Sequence, residues 1–287
     1  MNYMMKNLIT RTLVGIVFLA IMIGGILWRP DTMILLFAVI AGLTMWEYTG
    51  LVNDYVEGAQ INRLISTVAG IYLVLAVAGI QIGLVYGAMA FVPYIITVVY
   101  LLVAGLYTPS VNPLHSWTYT MFGQMYIALP LSLISLLSFR TGMDAAYSVE
   151  YNPLLPLSVF IFLWTNDTGA YCCGSLFGRH KLFPSVSPGK TWEGSIGGGF
   201  FVVLTAVIVW YFSSEGVLTL TQWIGLAIVV AVTGTWGDLV ESKIKRVIGI
   251  KDSGNMLPGH GGMLDRFDSS LLAIPSAVVY IYTISLV

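Results

Sequence analysis

The chain has 287 residues, of which 57% are hydrophobic and 9% charged, with a formal net charge of -1. Soluble proteins are roughly 45–50% apolar and about 25% charged, so this composition excludes a water-soluble globular domain and points to a polytopic membrane protein. The near-zero charge, with no basic tail or arginine-rich face, removes nucleic acid as a partner class.

A hydrocarbon core of about 30 Å takes about 20 apolar residues per helix. By that measure about nine spans fit, near residues 8–27, 31–50, 63–80, 83–103, 119–139, 156–175, 195–213, 219–240 and 267–287. The expected fold is all-α: a polytopic membrane helical bundle forming a single integral membrane domain over 1–287, with less distinctive spans in 1–155 and a catalytic half in 156–287. The first run follows Lys6 and Arg11 but is too long for a signal peptide and lacks a small-residue cleavage site, so it reads as a retained span. Gln81-Ile82-Gly83 joins the third and fourth spans in a tight hairpin, and Pro93 is expected to kink the fourth. Tyr107 to Ser116, with Pro109 and Pro113, reads as a loop. The adjacent cysteines Cys172 and Cys173 offer neither a disulfide framework nor metal-ligand spacing and read as packing residues.

Every Lys and Arg except Arg29 and Arg140 falls on the side that carries the amino terminus and the loops after spans two, four, six and eight. The positive-inside rule makes that side cytoplasmic. Two long polar loops, Gly174 to Gly194 and Glu241 to Arg266, lie on it.

Trp164-Thr165-Asn166-Asp167 leads into the first of these loops, and an acid inside an apolar run marks a functional site by default. Beyond it runs Pro184-Ser185-Val186-Ser187-Pro188-Gly189-Lys190-Thr191-Trp192-Glu193-Gly194. Gly189-Lys190-Thr191 imitates the end of a P-loop, but the first glycine of that motif would fall at Pro184 and no strand is expected before it, so it is not one. The hydroxyls of Ser187 and Thr191 and the charge of Lys190 still suit a polyphosphate. The same residues also read as a helix start capped by Ser187, with Pro188 in the first turn.

The charge of the chain is concentrated between Asp238 and Asp268. On a helix, Asp238, Glu241, Ser242, Lys245 and Arg246 share one broad face. Asp265 and Asp268 are three residues apart and share another; like charges that close call for a cation between them. Glycines around His260 permit a tight, backbone-rich turn able to approach phosphate. His260 reads more as a supporting hydrogen-bonding group than as a base. Glu47, Asp54, Glu57, Asp144, Glu150 and Glu215 lie at span ends or in loops and are assigned no role.

These residues describe phosphoryl or nucleotidyl transfer at a membrane surface. The stretch Ser242-x-Ile244-Lys245-Arg246-x4-Lys251-Asp252-x-Gly254-x2-Leu257-Pro258-x-His260-Gly261-Gly262-Met263-x-Asp265-Arg266-Phe267-Asp268 resembles the signature of phosphatidate cytidylyltransferases, and Asp167-x2-Ala170-Tyr171 and Ser187-Pro188-x-Lys190-Thr191-x-Glu193-Gly194 are similar to further elements of that family. The resemblance covers residues 164–268. It implies that CTP and phosphatidate are converted to CDP-diacylglycerol and pyrophosphate, with Mg2+ held by Asp238, Asp265 and Asp268, with Lys245, Arg246, Arg266 and His260 as catalytic groups, and with Asp167, Ser187, Lys190, Thr191, Ser242, Lys251, Gly261 and Gly262 as substrate contacts. The number of carboxylates adds a second, monovalent cation as a hypothesis. The implied partners are CTP, phosphatidate and membrane lipids, with a homodimer among the expectations, in a multi-pass bacterial inner membrane protein whose site faces the cytoplasm. The rival reading is an ion-coupled transporter using Asp167 and Asp238, although no repeated halves of the kind such transporters use are evident.

Overall fold

Nine helices account for most of the residues that a computed structural model of the chain describes, which are 3–107, 112–141, 149–213, 217–254, 256 and 261–285, without side chains for 3–11 and 140–141. The helices are α1 (Tyr3–Trp28), α2 (Pro30–Tyr55), α3 (Arg63–Gln81), α4 (Gly87–Gly105), α5 (Pro113–Ser138), α6 (Leu154–Phe177), α7 (Trp192–Phe212), α8 (Leu220–Val247) and α9 (Leu264–Ser285). Each corresponds to one of the nine expected spans. Two short antiparallel ribbons were not expected: β1 (Phe139–Thr141) with β2 (Val149–Tyr151), and β3 (Lys181–Phe183) with β4 (Ser187–Thr191).

Seven of the helices, α2 to α5 and α7 to α9, are long and apolar enough to cross a bilayer. Of α1, the stretch Thr12–Trp28 is a shorter apolar helix. Helix α6 is long but does not join the seven, and the sequence supplies the reason: its second half carries Asn166, Asp167 and Thr168 where a lipid-facing helix would carry aliphatic residues. Large apolar side chains on α4 and α7, such as Ile96, Val99, Phe200 and Ile208, are exposed. In water such surfaces would aggregate; in hydrocarbon they are the proper solvent-facing residues, and helices satisfy their own backbone there. The protein is a polytopic membrane bundle.

The chain divides into two compact units. One comprises residues 1–153 and 248–267, the other 154–247 and 268–287. The first boundary falls after Pro153, and the loop after α8 groups with the amino-terminal residues.

In the first unit, Phe37, Met45, Val74, Ile127, Leu131 and Ile134 are all fully buried and form the core among α2, α3 and α5. Asn62 caps α3 by accepting from Ile65 N–H, and the expected tight turn after it is present at Gly83, whose φ is +72°. Pro93 produces no mid-helix kink: it sits in the first α-turn after the 3-10 turn Gly87–Phe91, where its missing N–H is not needed. Helix α5 begins earlier than expected, at Pro113, because Asn112 accepts from Leu114 N–H and caps it. Pro130 has no N–H to return to the turn before it; nearby, α5 carries a π-helical turn at Gln124–Ala128, closed by Leu129 N–H to Gln124 O.

In the second unit Trp223 and Phe162 meet edge to face at 6.3 Å in a core completed by Val202, Ala206, Ala227 and Val230. Helices α6 and α7 approach closely because α7 is studded with glycine. A Cβ at Gly198 would stand 2.7 Å from Asn166 Oδ1 and 2.8 Å from its carbonyl oxygen. Small residues permit such backbone approach between membrane helices, and here the approach brings the polar half of α6 against the start of α7.

Candidate functional site

The second unit assembles its polar residues from four consecutive pieces of chain. Helix α6 supplies Asn166 and Asp167; the β3–β4 hairpin supplies Ser187, Lys190 and Thr191; α7 begins immediately after it; and α8 supplies Thr235 and Asp238. These residues line a cavity of about 450 Å³, together with Ala170, Tyr171, Ser175 and Ser195.

The hairpin corrects the expected helix start at Ser187. Ser187–Thr191 is a strand, and Thr191 is the cap: its hydroxyl accepts from Gly194 N–H at 3.1 Å, and α7 starts at Trp192. Pro188 and Gly189 favour extended or turning backbone over helix, so the first turn waits for the next residue that can cap. Glu193, in that first turn, folds back onto the hairpin. Its carboxylate accepts from the backbone N–H groups of Arg179 and His180 at 3.1 Å and contacts His180 Nδ1 at 2.5 Å. The polar face of the ribbon is thereby pinned to α7.

At the centre of the cavity, Lys190 Nζ lies 2.5 Å from Asp238 Oδ2 and 3.4 Å from the carbonyl oxygen of Thr235. Both side chains are about one quarter exposed, at 25% and 28%, so the pair is reachable by a ligand. Asp238 also accepts from Ser242 Oγ at 3.1 Å, and Asn166 donates to Thr235 Oγ1 at 3.2 Å. Asp268 is within electrostatic reach of Asp238, Asp167 and Lys190, and its own Oδ1 accepts from Ser269 N–H. Three carboxylates and one ammonium therefore share a field. Across the wall formed by Ser195 and Thr235 lies an apolar groove of about 490 Å³, lined by Ile196, Phe200, Val203, Ile228, Val232 and Trp236 among others.

The remaining cations of α8 divide. Lys245 turns inward and meets Glu241 Oε2 at 2.7 Å, and Glu241 is fully buried. Arg246 is exposed. The mixed charge that reads as one broad face is thus part interior ion pair and part accessible surface.

The first unit holds the rest of the expected residues. Asp265, in the first turn of α9, accepts from Gly262 N–H at 2.9 Å and from Ser253 N–H at 3.1 Å, so its carboxylate organises the loop it follows. Gly261 has φ +81°, a conformation that a side chain rarely adopts. Lys251 and Arg266 are exposed. His260 lies outside the described residues. The acid that sequence reasoning passed over is Glu47, in the middle of this loop's hydrogen bonds: it accepts from Ser253 Oγ, from Met263 N–H at 2.9 Å and from Leu264 N–H at 3.0 Å. The available signal was that this acid stands inside the expected 31–50 span, three residues short of its end.

Among the described residues no three His, Cys, Asp or Glu side chains converge on a point where they would hold a metal ion by themselves. Magnesium, however, is usually bound by one or two carboxylates and completed by water and substrate phosphates. The electrostatically joined Asp238 and Asp268 are a donor set of that kind.

Fold and site together define a polytopic helical membrane protein with a carboxylate-and-lysine cavity beside an apolar groove. The chain belongs to the cytidylyltransferase family, whose model matches residues 9–284. It is similar to proteins named phosphatidate cytidylyltransferase: 46% identical over 121 residues to that of Staphylococcus aureus (strain COL), and 47% identical over 124 residues to that of Haemophilus influenzae (strain ATCC 51907 / DSM 11121 / KW20 / Rd). Each match covers 42% of this chain, and 45% and 43% of those two relatives, so the aligned part spans less than half of their length.

Proposed function

We infer that the protein transfers a cytidylyl group from CTP to phosphatidate, giving CDP-diacylglycerol and pyrophosphate. The observation that carries this reading is the shared wall of Ser195 and Thr235: a charged cavity on one side and an apolar groove on the other suit a substrate with a phosphate head and a hydrocarbon tail. Family membership and the names of the relatives support the choice of nucleotide and lipid.

In this reaction a phosphate oxygen of phosphatidate forms a bond to the α-phosphorus of CTP, and the bond from that phosphorus to the bridging oxygen of the β-phosphate breaks. The leaving electron pair goes to pyrophosphate. The attacking phosphomonoester is already anionic near neutral pH, so it needs little help from a base; the obstacle is repulsion between it and the triphosphate. Lys190, held by Asp238 and the Thr235 carbonyl, gives a fixed positive charge at the cavity centre, and such preorganised charge acts on the transition state without reorganisation. Ser187 contributes a hydroxyl beside it. Lys245, Arg246, Arg266 and Lys251 keep a proposed part in meeting the phosphates on the strength of the signature that carries them. Magnesium, when bound through Asp238 and Asp268, would supply neutralisation of the triphosphate charge. Asp265 remains part of the proposed metal-binding group, and a second, monovalent cation rests on the number of carboxylates; a rate unaffected by potassium or sodium at fixed magnesium would remove it.

The concentration of basic residues beside the two polar loops supports a site facing the cytoplasm of a bacterial inner membrane. The test is incubation of the purified protein with labelled CTP, phosphatidate and magnesium. Lipid-linked CMP is expected; its absence across divalent and monovalent salts, together with ion-driven flux in vesicles, would favour a transporter instead.

A further inference from the structure

Glu47 sits in the carboxyl-terminal half of α2, 7% exposed, on a buried face that is mostly apolar. A carboxylate in such a place is costly unless its oxygens are supplied with donors, and here the donors come from a loop more than 200 residues away in sequence. Oε1 accepts from Ser253 Oγ and from Leu264 N–H, and Oε2 accepts from Met263 N–H. Ser253 lies in the first half of the loop between α8 and α9; Met263 and Leu264 lie where it enters α9. One side chain therefore ties the two limbs of the loop.

The glycines around it are shaped to this contact. A Cβ at Gly254 would stand 2.8 Å from Glu47 Oε2, and a Cβ at Gly262 would collide with Glu47 Oε1 and Ser253 Oγ. Two glycines of the Ser242 to Asp268 signature are thus explained by a carboxylate outside it. Ser253, itself buried, makes the link to Asp265: its hydroxyl donates to Glu47 while its N–H donates to the Asp265 carboxylate.

We propose that Glu47 is a positioning residue that clamps the neck of the signature loop and, through Ser253 and the first turn of α9, sets the orientation of Asp265. It touches no reacting atom. Its effect on turnover rests on the cytidylyltransferase reading; its effect on loop order does not.

The test uses the full chain in detergent or nanodiscs, with hydrogen exchange measured on peptides covering 249–266 and on peptides of α2 and α3, alongside steady-state turnover of CTP and phosphatidate. In Glu47→Gln, the neck amides of Met263 and Leu264 are expected to exchange about tenfold faster, as loss of charged hydrogen bonds implies. Turnover is expected to fall about 100-fold through kcat, because small misplacement of a reacting group costs that much, with KM for CTP little changed. Glu47→Ala should be more severe than Glu47→Gln, which keeps one acceptor oxygen. Ser253→Ala, which keeps every backbone contact, should reproduce the kinetic defect in milder form if Glu47→Ala fails to fold. Gly262→Ala should match Glu47→Gln in a wild-type background and add nothing in the Glu47→Ala/Ser253→Ala double variant, where both colliding oxygens are gone.

Unchanged exchange at 261–264 in both Glu47 variants would overturn the clamp. So would faster exchange throughout α2 and α3 with kcat per folded molecule unaltered, which is the pattern of a residue that only supports the core. If the wild-type protein showed no transferase activity, the functional reading would fail, and the exchange data would still decide the role of Glu47.

Discussion

The two polar loops are each held by a glutamate, and the two glutamates work over different ranges. Glu193 reaches back 13 residues to His180 and pins the β3–β4 hairpin to the helix that follows it. Glu47 reaches 216 residues forward to Met263 and pins the loop before α9 to the amino-terminal unit. The hairpin is therefore a local device, buildable from its own segment. The signature loop is assembled only when distant parts of the chain have folded together. The difference teaches that motif and support can be encoded far apart, and that a signature describes what a loop carries without saying what holds it.

The comparison predicts a graded set of effects. The largest belongs to the cavity centre: Asp238→Asn removes the ion-pair partner of Lys190 and one proposed cation ligand, and turnover should drop about 1000-fold while the protein keeps its elution profile in detergent. Wild-type rates in that variant would break the assignment. Asp265→Asn should also abolish measurable turnover, and because its carboxylate accepts from Gly262 and Ser253, exchange at those amides should rise with it; a lost rate with unchanged exchange would make Asp265 a ligand without a loop role. Lys190→Met should lower the rate about 100-fold, read in the same assay. A smaller effect is expected at the helix contact, where Gly198→Val forces apart α6 and α7 and should destabilise the second unit by about 1–3 kcal/mol, measured as a lower midpoint of thermal unfolding. The smallest is Glu193→Gln. That side chain is one-quarter exposed at 26%, water can replace its bonds, and the rate should change only a few-fold while Arg179 and His180 amides exchange faster. Equal damage from Glu193→Gln and Glu47→Gln would erase the distinction between local and long-range support.

Much of the fold was legible because its driving pattern is simple. Runs of apolar residues about 20 long became helices, with ends that moved by a few residues where Asn112 or Thr191 capped later or earlier than expected. The polar half of α6 was visible as an acid in an apolar run, yet its cost to the membrane-crossing character of that helix was not drawn from the span count. The cavity was legible as residue types: Asp167, Lys190 and Asp238 stood out because ionisable groups are rare in this chain. Their pairing was not, since the Lys190–Asp238 contact is made from a hairpin where a helix start was expected. Lys245 read as a catalytic cation on one charged face with Glu241, but helical spacing also allows an interior pair, and burial shows one. Glu47 was passed over because its donors lie in a loop that no local pattern connects to α2.

The central claim is that the cavity between Asp167, Lys190 and Asp238 receives the nucleotide. A photoreactive CTP analogue, cross-linked to the full chain in the presence of magnesium and mapped by peptide sequencing, tests it most directly. Label is expected on peptides spanning 164–194 and 235–246, competed away by CTP and weakened in Lys190→Met. Label confined to residues 1–153, or indifferent to CTP and to Lys190→Met, would contradict the account.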